Sequence, residues 1–437
     1  MIEILVLVPK ITQRLHYVFD LVLHEQLGFT VELTTSERNF IAFQGVKITY
    51  GESAVEENFF IKSTQLLFER DIFSQDLKPF NYEDITAFFP VFNKDSSLPF
   101  DIFAAVFYLV SRYEEYLPFV KDIHGRYQAS SSVLFKLQIL QKPLVNIWCK
   151  KLGHRLEQHF NGLKIPERKY SFVPTYDIDA AWAIKNKGFI RTYGSYINNL
   201  LDANFEELKL KYNVLKGRIP DPFDTFDLQL DLQKSYQLHP IYFILFADYD
   251  VNDKNIPIDS NEFQLLIKRL GDYAEVGIHP SYASFDDKSK LKPEIQHLSK
   301  VLNREITRSR QHFLRMNLPV TYHNLIDHDI LDDYTMGYAS QPGFRAGISD
   351  SFFFYDLDHD GPTPLRVHPF TIMDGTLRDY LKLEPEPALE LVKNLIKEVK
   401  DVQGTFITLW HNESLSDTKR WAGWLDVYKQ IIIEAIP

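Results

Sequence analysis

Residues 170–182 read Tyr-Ser-Phe-Val-Pro-Thr-Tyr-Asp-Ile-Asp-Ala-Ala-Trp, an apolar run that ends in two carboxylates. The run predicts a strand, and alternate residues of a strand point to the same face. Asp177 and Asp179 would therefore project together from its end. One could bind a metal ion while the other accepts a proton from an attacking water. A turn or a helix N-cap also recruits Asp, and the local sequence alone slightly favours that interpretation.

Beyond residue 170, strand-like runs alternate with helical ones, which is typical of a parallel α/β sheet or barrel. About seven strands fit a barrel better than a small open sheet, so we predict an α/β barrel over residues 168–437. Residues 188–220 predict a helical insertion after the first strand. The predicted strands are Ser171–Thr175, Ile241–Phe246, Glu275–His279, Arg308–Phe313, Asp333–Tyr338, Leu365–Thr371 and Thr405–Leu409.

Residues 1–163 predict a smaller α/β domain of unknown function, which we expect to pack against the barrel or to present substrate. Residues 161–170 then combine Gly, Pro and charged residues, as linkers do. Asp101 is a candidate N-cap for the first of two predicted helices. The predicted elements are strands Ile2–Val8 and Thr30–Thr35, a strand pair or bulged hairpin at 40–50, and helices Ile102–Tyr116 and Lys142–Phe160.

The composition narrows the class of protein. The 437 residues are 45% hydrophobic and 24% charged, which is ordinary for a globular chain. A net charge of −11 disfavours nucleic-acid partners and anionic membrane surfaces. The single Cys149 excludes an intramolecular disulfide and a cysteine-based zinc cluster. No apolar run reaches the ~20 residues of a membrane helix, and the N-terminus lacks a leader pattern, so we expect a cytoplasmic protein.

Polar residues recur where the predicted barrel strands end, which is where parallel barrels place their chemistry. A carboxylate with neutral imidazoles suits Zn²⁺ or a similar divalent ion. A second carboxylate can act as a base, a further histidine as an acid, and an arginine can hold the base ionised. This combination indicates metal-assisted hydrolysis. The strand-end residues are Asp177, Asp179, His279, Arg310, His312, Arg345, Asp374 and His411.

With these residues in order, the chain resembles the polysaccharide deacetylases of the carbohydrate esterase family 4 type. Their NodB-like domain is a distorted (β/α) barrel that removes N- or O-linked acetyl groups from sugars. The resemblance covers roughly residues 168–437, and the extra N-terminal domain makes the chain look like a divergent bacterial branch. The family's first motif, Thr-Phe-Asp-Asp or Asp-x-Asp, is matched by Thr-Tyr-Asp-Ile-Asp at 175–179. The resemblance implies that Asp177 is the catalytic base and Asp179 a metal ligand.

The family's second motif, His-Ser/Thr-x-x-His, is matched only in its first half. His279 is present, but the second histidine would fall at Ala283. Two protein ligands are too few for a tight zinc site. We therefore expect His312, at the end of a neighbouring strand, to supply the missing ligand. His323 and His328 are weaker candidates, because residues five apart on a predicted helix do not share a face.

The third motif, Arg-x-Pro-Tyr, is echoed by Arg-Gln-His-Phe at 310–313, with His where Pro is usual. The resemblance implies that Arg310 orients the base. The fifth motif, Leu-x-His, is matched by Leu-Trp-His at 409–411, which makes His411 the candidate acid. Asp374 matches the fourth-motif region loosely and would orient His411. Arg345 and Trp410 are the expected substrate contacts.

Each of these residues also has a purely structural interpretation. His279 could be a buried, hydrogen-bonded histidine, and the residues after His411 could cap a helix. Arg345, between glycines, could be a turn residue in a salt bridge, and Asp374 before Gly375 is a common turn pair. The joint occurrence of these residues in the expected order favours the functional interpretation. We assign no function to the remaining histidines, namely His16, His24, His124, His154, His159, His239, His297, His359 and His368.

The sequence thus predicts a metal-dependent hydrolase, most simply with Zn²⁺, that removes acetyl groups from an N-acetylated sugar or polysaccharide precursor. Its expected partner is a carbohydrate. Two alternatives stay open at this point. One is a degenerate deacetylase fold that binds glycan without hydrolysing it, which the departure at Ala283 motivates. The other is hydrolysis of a different amide or ester on a cell-envelope precursor.

Overall fold

The computed structural model describes residues 2–188 and 204–437. The first part of the chain contains a four-stranded parallel sheet in the order β2-β1-β3-β4, and a small antiparallel pair of β5 with β6. Its strands are β1 Ile2–Leu7, β2 Phe29–Thr34, β3 Val46–Gly51, β4 Phe59–Lys62, β5 Phe80–Tyr82 and β6 Ile85–Ala87. Its helices are α1 Gln13–Phe19, continued by a π-helical segment Asp20–Gln26, α2 Glu37–Ala42, α3 Ile102–Val110, α4 Val133–Lys136 and α5 Leu144–His159.

The second part contains a nine-stranded sheet in the order β12-β13-β11-β10-β9-β8-β7-β15-β14. All neighbours are parallel except the antiparallel pair of β12 with β13. Its strands are β7 Ser171–Ile178, β8 Ile241–Ile244, β9 Glu275–Ile278, β10 Arg308–Ser309, β11 Asp332–Asp333, β12 Phe352–Asp356, β13 Gly361–Val367, β14 Ile372–Met373 and β15 Thr405–His411. Its helices are α6 Phe205–Leu215, α7 Phe226–Tyr236, α8 Asn261–Tyr273, α9 Leu291–Leu302, α10 Val320–Ile326, α11 Pro385–Asp401 and α12 Trp424–Ala435.

The nine-stranded sheet curls, but strand pairing does not close it. Only residues 368–371 connect β13, which lies next to the edge strand β12, to β14 at the other edge, so the two ends of the sheet lie near each other. Within this connection the Phe370 amide donates to the Met336 carbonyl (3.1 Å) and the Thr371 amide to the Ile407 carbonyl (2.8 Å). Among the described residues, no ladder joins β12 to β14. The predicted mixed α/β architecture is confirmed, with nine strands in the sheet rather than about seven, and the distorted barrel remains a prediction because no strand pairing closes the sheet.

Pro174 lies inside β7, which pairs with strands on both sides, although proline normally excludes a central strand. The register explains this exception. β7 pairs with β15 from Ser171 to Asp177, so Pro174 lies opposite Thr408. Its pairing with β8 on the other side begins only at Thr175. Pro174 therefore has a strand neighbour on one side only, and its missing N–H leaves no ladder bond unmade there.

Buried charges join the two parts of the chain. The Arg345 side chain is 2% exposed, and it donates from Nε and Nη2 to the two carboxylate oxygens of Glu115 (2.9 and 2.6 Å). Glu115 also accepts from Nε of the buried Arg112 (2.8 Å). The salt-bridge interpretation of Arg345 is thus confirmed. Burial raises the pKa of Glu115, but the charges of Arg345 and Arg112 outweigh burial and lower it.

Several predicted elements differ from the structure. Residues 40–50 form the end of α2 and most of β3 rather than a hairpin, because β3 pairs in parallel with β1. The predicted strand Arg308–Phe313 stops at Ser309, since Phe313 adopts a left-handed backbone (φ 56°). Most of the predicted insertion at 188–220, namely residues 189–203, lies outside the described residues, and α6 follows it. No helix within the described ranges is long and apolar enough to cross a membrane.

The ion pair between Arg345 and Glu115 can be tested by unfolding. Glu115→Gln should lower the free energy of unfolding by about 3–5 kcal/mol, because it leaves a buried guanidinium unpaired. The double variant Glu115→Leu, Arg345→Met should lose much less, because Arg345 is removed as well and the buried Arg112 keeps Glu114 as a partner (2.8 Å). Urea denaturation measures both, with Asp227→Asn at the exposed pair with Arg269 as the control. A double variant at least as unstable as the single one would contradict this account.

Candidate metal centre

The carboxyl ends of β7, β9 and β15 and the segment after β10 meet in one pocket. Because β7 and β15 are parallel and in register, Asp177 lies opposite His411. β9 ends at Ile278, so His279 follows directly, and His312 follows two residues after Arg310 beyond β10. The pocket has a volume of about 280 Å³ and is lined by Asp177, Asp179, His279, His312 and His411.

Asp179 lies at the centre of three histidines. Its carboxylate oxygens lie 3.3 Å from Nε2 of His279, 3.6 Å from Nε2 of His312 and 3.7 Å from Nε2 of His411. One carboxylate oxygen, Oδ1, has no hydrogen-bond partner. Burial raises the pKa of Asp179, but the surrounding histidines outweigh burial and bring it well below its usual value. Asp179 is therefore an ionised oxygen ligand with unused bonding capacity.

Each of the three imidazoles is held through its other nitrogen by an oxygen atom. Nδ1 of His279 donates to the Arg310 carbonyl (2.5 Å). Nδ1 of His312 pairs with Asp253 (2.8 Å), and Nδ1 of His411 pairs with Asp374 (2.8 Å). With Nδ1 engaged in this way, Nε2 is the nitrogen that is available to bind a metal or to exchange a proton. All three rings are thus oriented toward Asp179.

Three ligand atoms fit a divalent metal. One atom each of Asp179, His279 and His312 all lie within 4.8 Å of one another. A carboxylate with two imidazoles, and positions left for water, is a donor set that suits Zn²⁺. The structure thus brings His312 to the position from which it can supply the ligand missing at Ala283. Its use as a ligand remains a prediction.

The buried Arg310 side chain binds Asp177 and fixes its orientation. Its guanidinium is fully buried, and Nη1 donates to Asp177 (2.8 Å) and to the Thr175 hydroxyl (2.7 Å). Nε donates to the Tyr334 carbonyl (3.0 Å), and the guanidinium lies 4.5 Å from the centre of the Phe243 ring. The second Asp177 oxygen faces His279 Nε2 at 3.7 Å. The Asp177 carboxylate is therefore held in one orientation beside the three candidate ligands Asp179, His279 and His312.

His411, whose Nε2 faces Oδ2 of Asp179, has a buried carboxylate partner of its own. Asp374 is fully buried and binds both the ring and the backbone amide of His411 (2.8 Å each), and it accepts from Ser414. Burial lowers the pKa of His411, but Asp374 and then Asp179 outweigh burial and raise it well above its usual value. His411 therefore carries a proton that it can donate near neutral pH.

The two expected substrate contacts are not supported. The Trp410 side chain is fully buried and packs against Tyr428, with ring centres 4.6 Å apart, because alternate residues of β15 point away from the pocket. Arg345 uses its guanidinium on Glu115 and on the Gly337 carbonyl (3.0 Å). Neither side chain lines this pocket. The aromatic residues Phe313 and Tyr380, both partly exposed, line the pocket instead.

Among the residues of the site that were missed from the sequence are Asp253 and Arg126. Asp253, which holds His312, lies in the loop after β8, so the strand-end rule could have found it. Arg126 lines the pocket from the first part of the chain, for which we predicted no site residue. Its Nη1 donates to the Phe313 carbonyl (2.7 Å) and its Nε to Asp122 (2.7 Å). No sequence signal pairs the loop of Arg126 with the second sheet.

A family model described as a family of unknown function (DUF7033) matches residues 4–161. No curated protein sequence matches the chain. Similar solved structures include a protein from Mycobacterium smegmatis assigned as a polysaccharide deacetylase (16% identity, 63% of this chain and 88% of that one, TM-score 0.40). Others are a polysaccharide deacetylase from Bacillus cereus (10%, 61% and 87%, 0.30) and an allantoinase (11%, 62% and 87%, 0.39). Since these TM-scores lie below 0.5, we infer nothing about function from them.

The buried Glu294, which binds the loop after His279, predicts a pH dependence of the free energy of unfolding. Glu294 on α9 accepts from the amide (3.0 Å) and hydroxyl (2.6 Å) of Ser281, and burial raises its pKa to about 7. A carboxyl whose pKa is raised on folding stabilises the protein below its unfolded pKa, and that contribution is lost as pH rises through about 7. Glu294→Gln cannot ionise, so relative to wild type it should gain on the order of 1–3 kcal/mol between pH 5 and pH 8.

Urea denaturation in the presence of a chelator, at several pH values, measures this difference. Glu262→Gln, at an exposed position on α8, is the control and should show no such trend. A constant difference between Glu294→Gln and wild type across this pH range would contradict the prediction.

Proposed function

We propose that the protein is a metal-dependent hydrolase that removes acetyl groups from N-acetylated sugars. The observation that carries the proposal is the convergence of three oriented histidines on Asp179, with a second carboxylate, Asp177, beside them. Asp179, His279 and His312 would hold a divalent ion, most simply Zn²⁺. When bound, that ion would polarise the acetyl carbonyl and lower the pKa of the water that attacks it.

The remaining residues have separate roles in the reaction. Asp177 accepts the proton of the attacking water, and its pair with Arg310 keeps its free oxygen directed at the pocket. His411 donates a proton to the departing amine, since Asp374 raises its pKa and fixes its ring. Base and acid thus lie on adjacent strands that face the same pocket, and addition of water followed by loss of an amine requires one of each.

The shape of the pocket supports a sugar as the substrate class. The pocket is open to solvent beside Phe313 and Tyr380, whose rings are 36% and 46% exposed. Sugar faces stack on such rings through their C–H groups. Arg126 and Asn412 add hydrogen-bonding groups to the same walls. The aromatic rim with polar walls is the arrangement expected of a carbohydrate site.

The ligand assignment predicts a loss of metal. Asp179→Ala and His312→Ala should each bind one zinc ion fewer per chain than wild type, because a site left with two protein ligands binds weakly. Elemental analysis after equilibration with buffered zinc measures the stoichiometry. The control is His368→Ala, which removes a histidine paired with Asp332 (2.7 Å) outside the pocket. Full zinc occupancy in the His312 variant would exclude that residue as the third ligand.

The proposed role of Asp177 predicts a loss of activity without a loss of metal. Asp177→Asn should keep its zinc but release acetate from N-acetylglucosamine oligosaccharides at least ~10²-fold more slowly, because the base is lost. Asp332→Asn makes the same chemical change outside the pocket and should leave the rate unchanged. Acetate release at the wild-type rate by the Asp177 variant would refute its role. The proposed activity as a whole would be refuted if the wild-type protein binds the saccharides but does not bind zinc and does not release acetate.

A further inference from the structure

A second group of metal-ligating side chains lies outside the candidate metal centre. It consists of His323 on α10, Asp356 at the end of β12 and His359 in the turn before β13. Nε2 of His323 lies 2.6 Å and Nδ1 of His359 lies 2.5 Å from Oδ2 of Asp356. All three ligand atoms lie within 4.8 Å of one another. Two imidazoles and a carboxylate from three different elements therefore face one point.

The carboxylate at the centre of this group is buried and fixed. Asp356 is 2% exposed, and its Oδ1 accepts from the Asp358 amide (3.0 Å), so Oδ2 is left for the two rings. The carboxylate is thus a fixed oxygen donor with one oxygen shared by the two rings. The His359 side chain, by contrast, is 76% exposed and lies in a turn where it can move.

We propose that His323, Asp356 and His359 bind a second divalent transition metal ion, with Zn²⁺ as the first candidate. Bonds of ~2.0–2.1 Å in tetrahedral geometry would place the ligand atoms about 3.3 Å apart, so each ring needs to move by less than about 1 Å. Imidazole and carboxylate ligands suit Zn²⁺, Ni²⁺ and Cu²⁺. An adjoining cavity of about 420 Å³, which Asp327 also lines, leaves room for water as a further ligand.

The position of the site indicates a structural role. The metal would join α10 to the hairpin of β12 and β13, which forms one edge of the nine-stranded sheet. The same hairpin contacts the first part of the chain. Asp360 pairs with the buried Arg14 (2.8 Å), and the Tyr17 hydroxyl donates to the Phe353 carbonyl (2.7 Å). A bound ion would therefore stabilise the junction of the two parts, independently of the proposed catalytic function.

The test is zinc stoichiometry in the full chain carrying Asp179→Ala and His312→Ala, which removes the candidate metal centre. This background should retain one zinc ion per chain at micromolar free zinc. Adding His359→Ala or Asp356→Asn should abolish that binding. Zinc should also raise the melting temperature of the background by several degrees, since a ligand that binds only the folded state stabilises it. That rise should be lost in the same variants.

The control is His368→Ala in the same background, because His368 pairs with one carboxylate only and should leave zinc binding unchanged. Since His359 is exposed, its variant should keep the zinc-free melting temperature of the background, which separates lost binding from misfolding. No zinc in the background, or unchanged zinc after His359→Ala and Asp356→Asn, would overturn the proposal. If instead the proposed catalytic centre does not bind metal, wild type and the Asp179→Ala, His312→Ala background would bind the same number of zinc ions per chain.

Discussion

The buried pair of Arg310 with Asp177 is the interaction on which the candidate site depends. Nε and Nη1 of this fully buried guanidinium bind a carboxylate, a hydroxyl and a carbonyl, whereas Nη2 has no hydrogen-bond partner and the group lies against the Phe243 ring. The backbone of the same residue holds His279 through its carbonyl oxygen. His312 follows two residues later. One residue, Arg310, therefore holds Asp177 through its side chain and His279 through its backbone.

Close packing around Arg310 keeps this arrangement in place. Phe243 lies against the guanidinium, and Gly277 on the neighbouring strand leaves space for that ring. A Cβ at position 277 would lie 2.7 Å from the Phe243 ring and 2.7 Å from the Arg308 carbonyl oxygen. The inner faces of β8 and β15 add Ile241, Ile407 and Leu409 to the same apolar cluster. An apolar environment strengthens the ion pair and excludes water from the closed side of the pocket.

The grouping of the site residues is predictable from the sequence, but the direction of each side chain is not. Parallel strands bring their carboxyl ends to one edge, so Asp177, His279 and His411 can be grouped without knowing any contact. The direction of a side chain relative to its neighbours cannot be predicted so simply. Trp410 is one residue from His411 but points into the core. The curl of the sheet, the pairing of Arg345 with Glu115 and the approach of Arg126 depend on contacts between distant segments.

The departure at Ala283 illustrates how such contacts can compensate for a missing residue. Asp253 accepts from the Tyr282 amide (2.7 Å) and, through its other oxygen, from the Ala283 amide (3.4 Å). It also orients His312 (2.8 Å). The segment around Ala283 is thus held by the carboxylate that also orients His312. Because β9 and β10 are adjacent strands, the loop after one and the segment after the other both reach Asp179. The fold thereby brings His312, the proposed third ligand, within reach of Asp179 and His279.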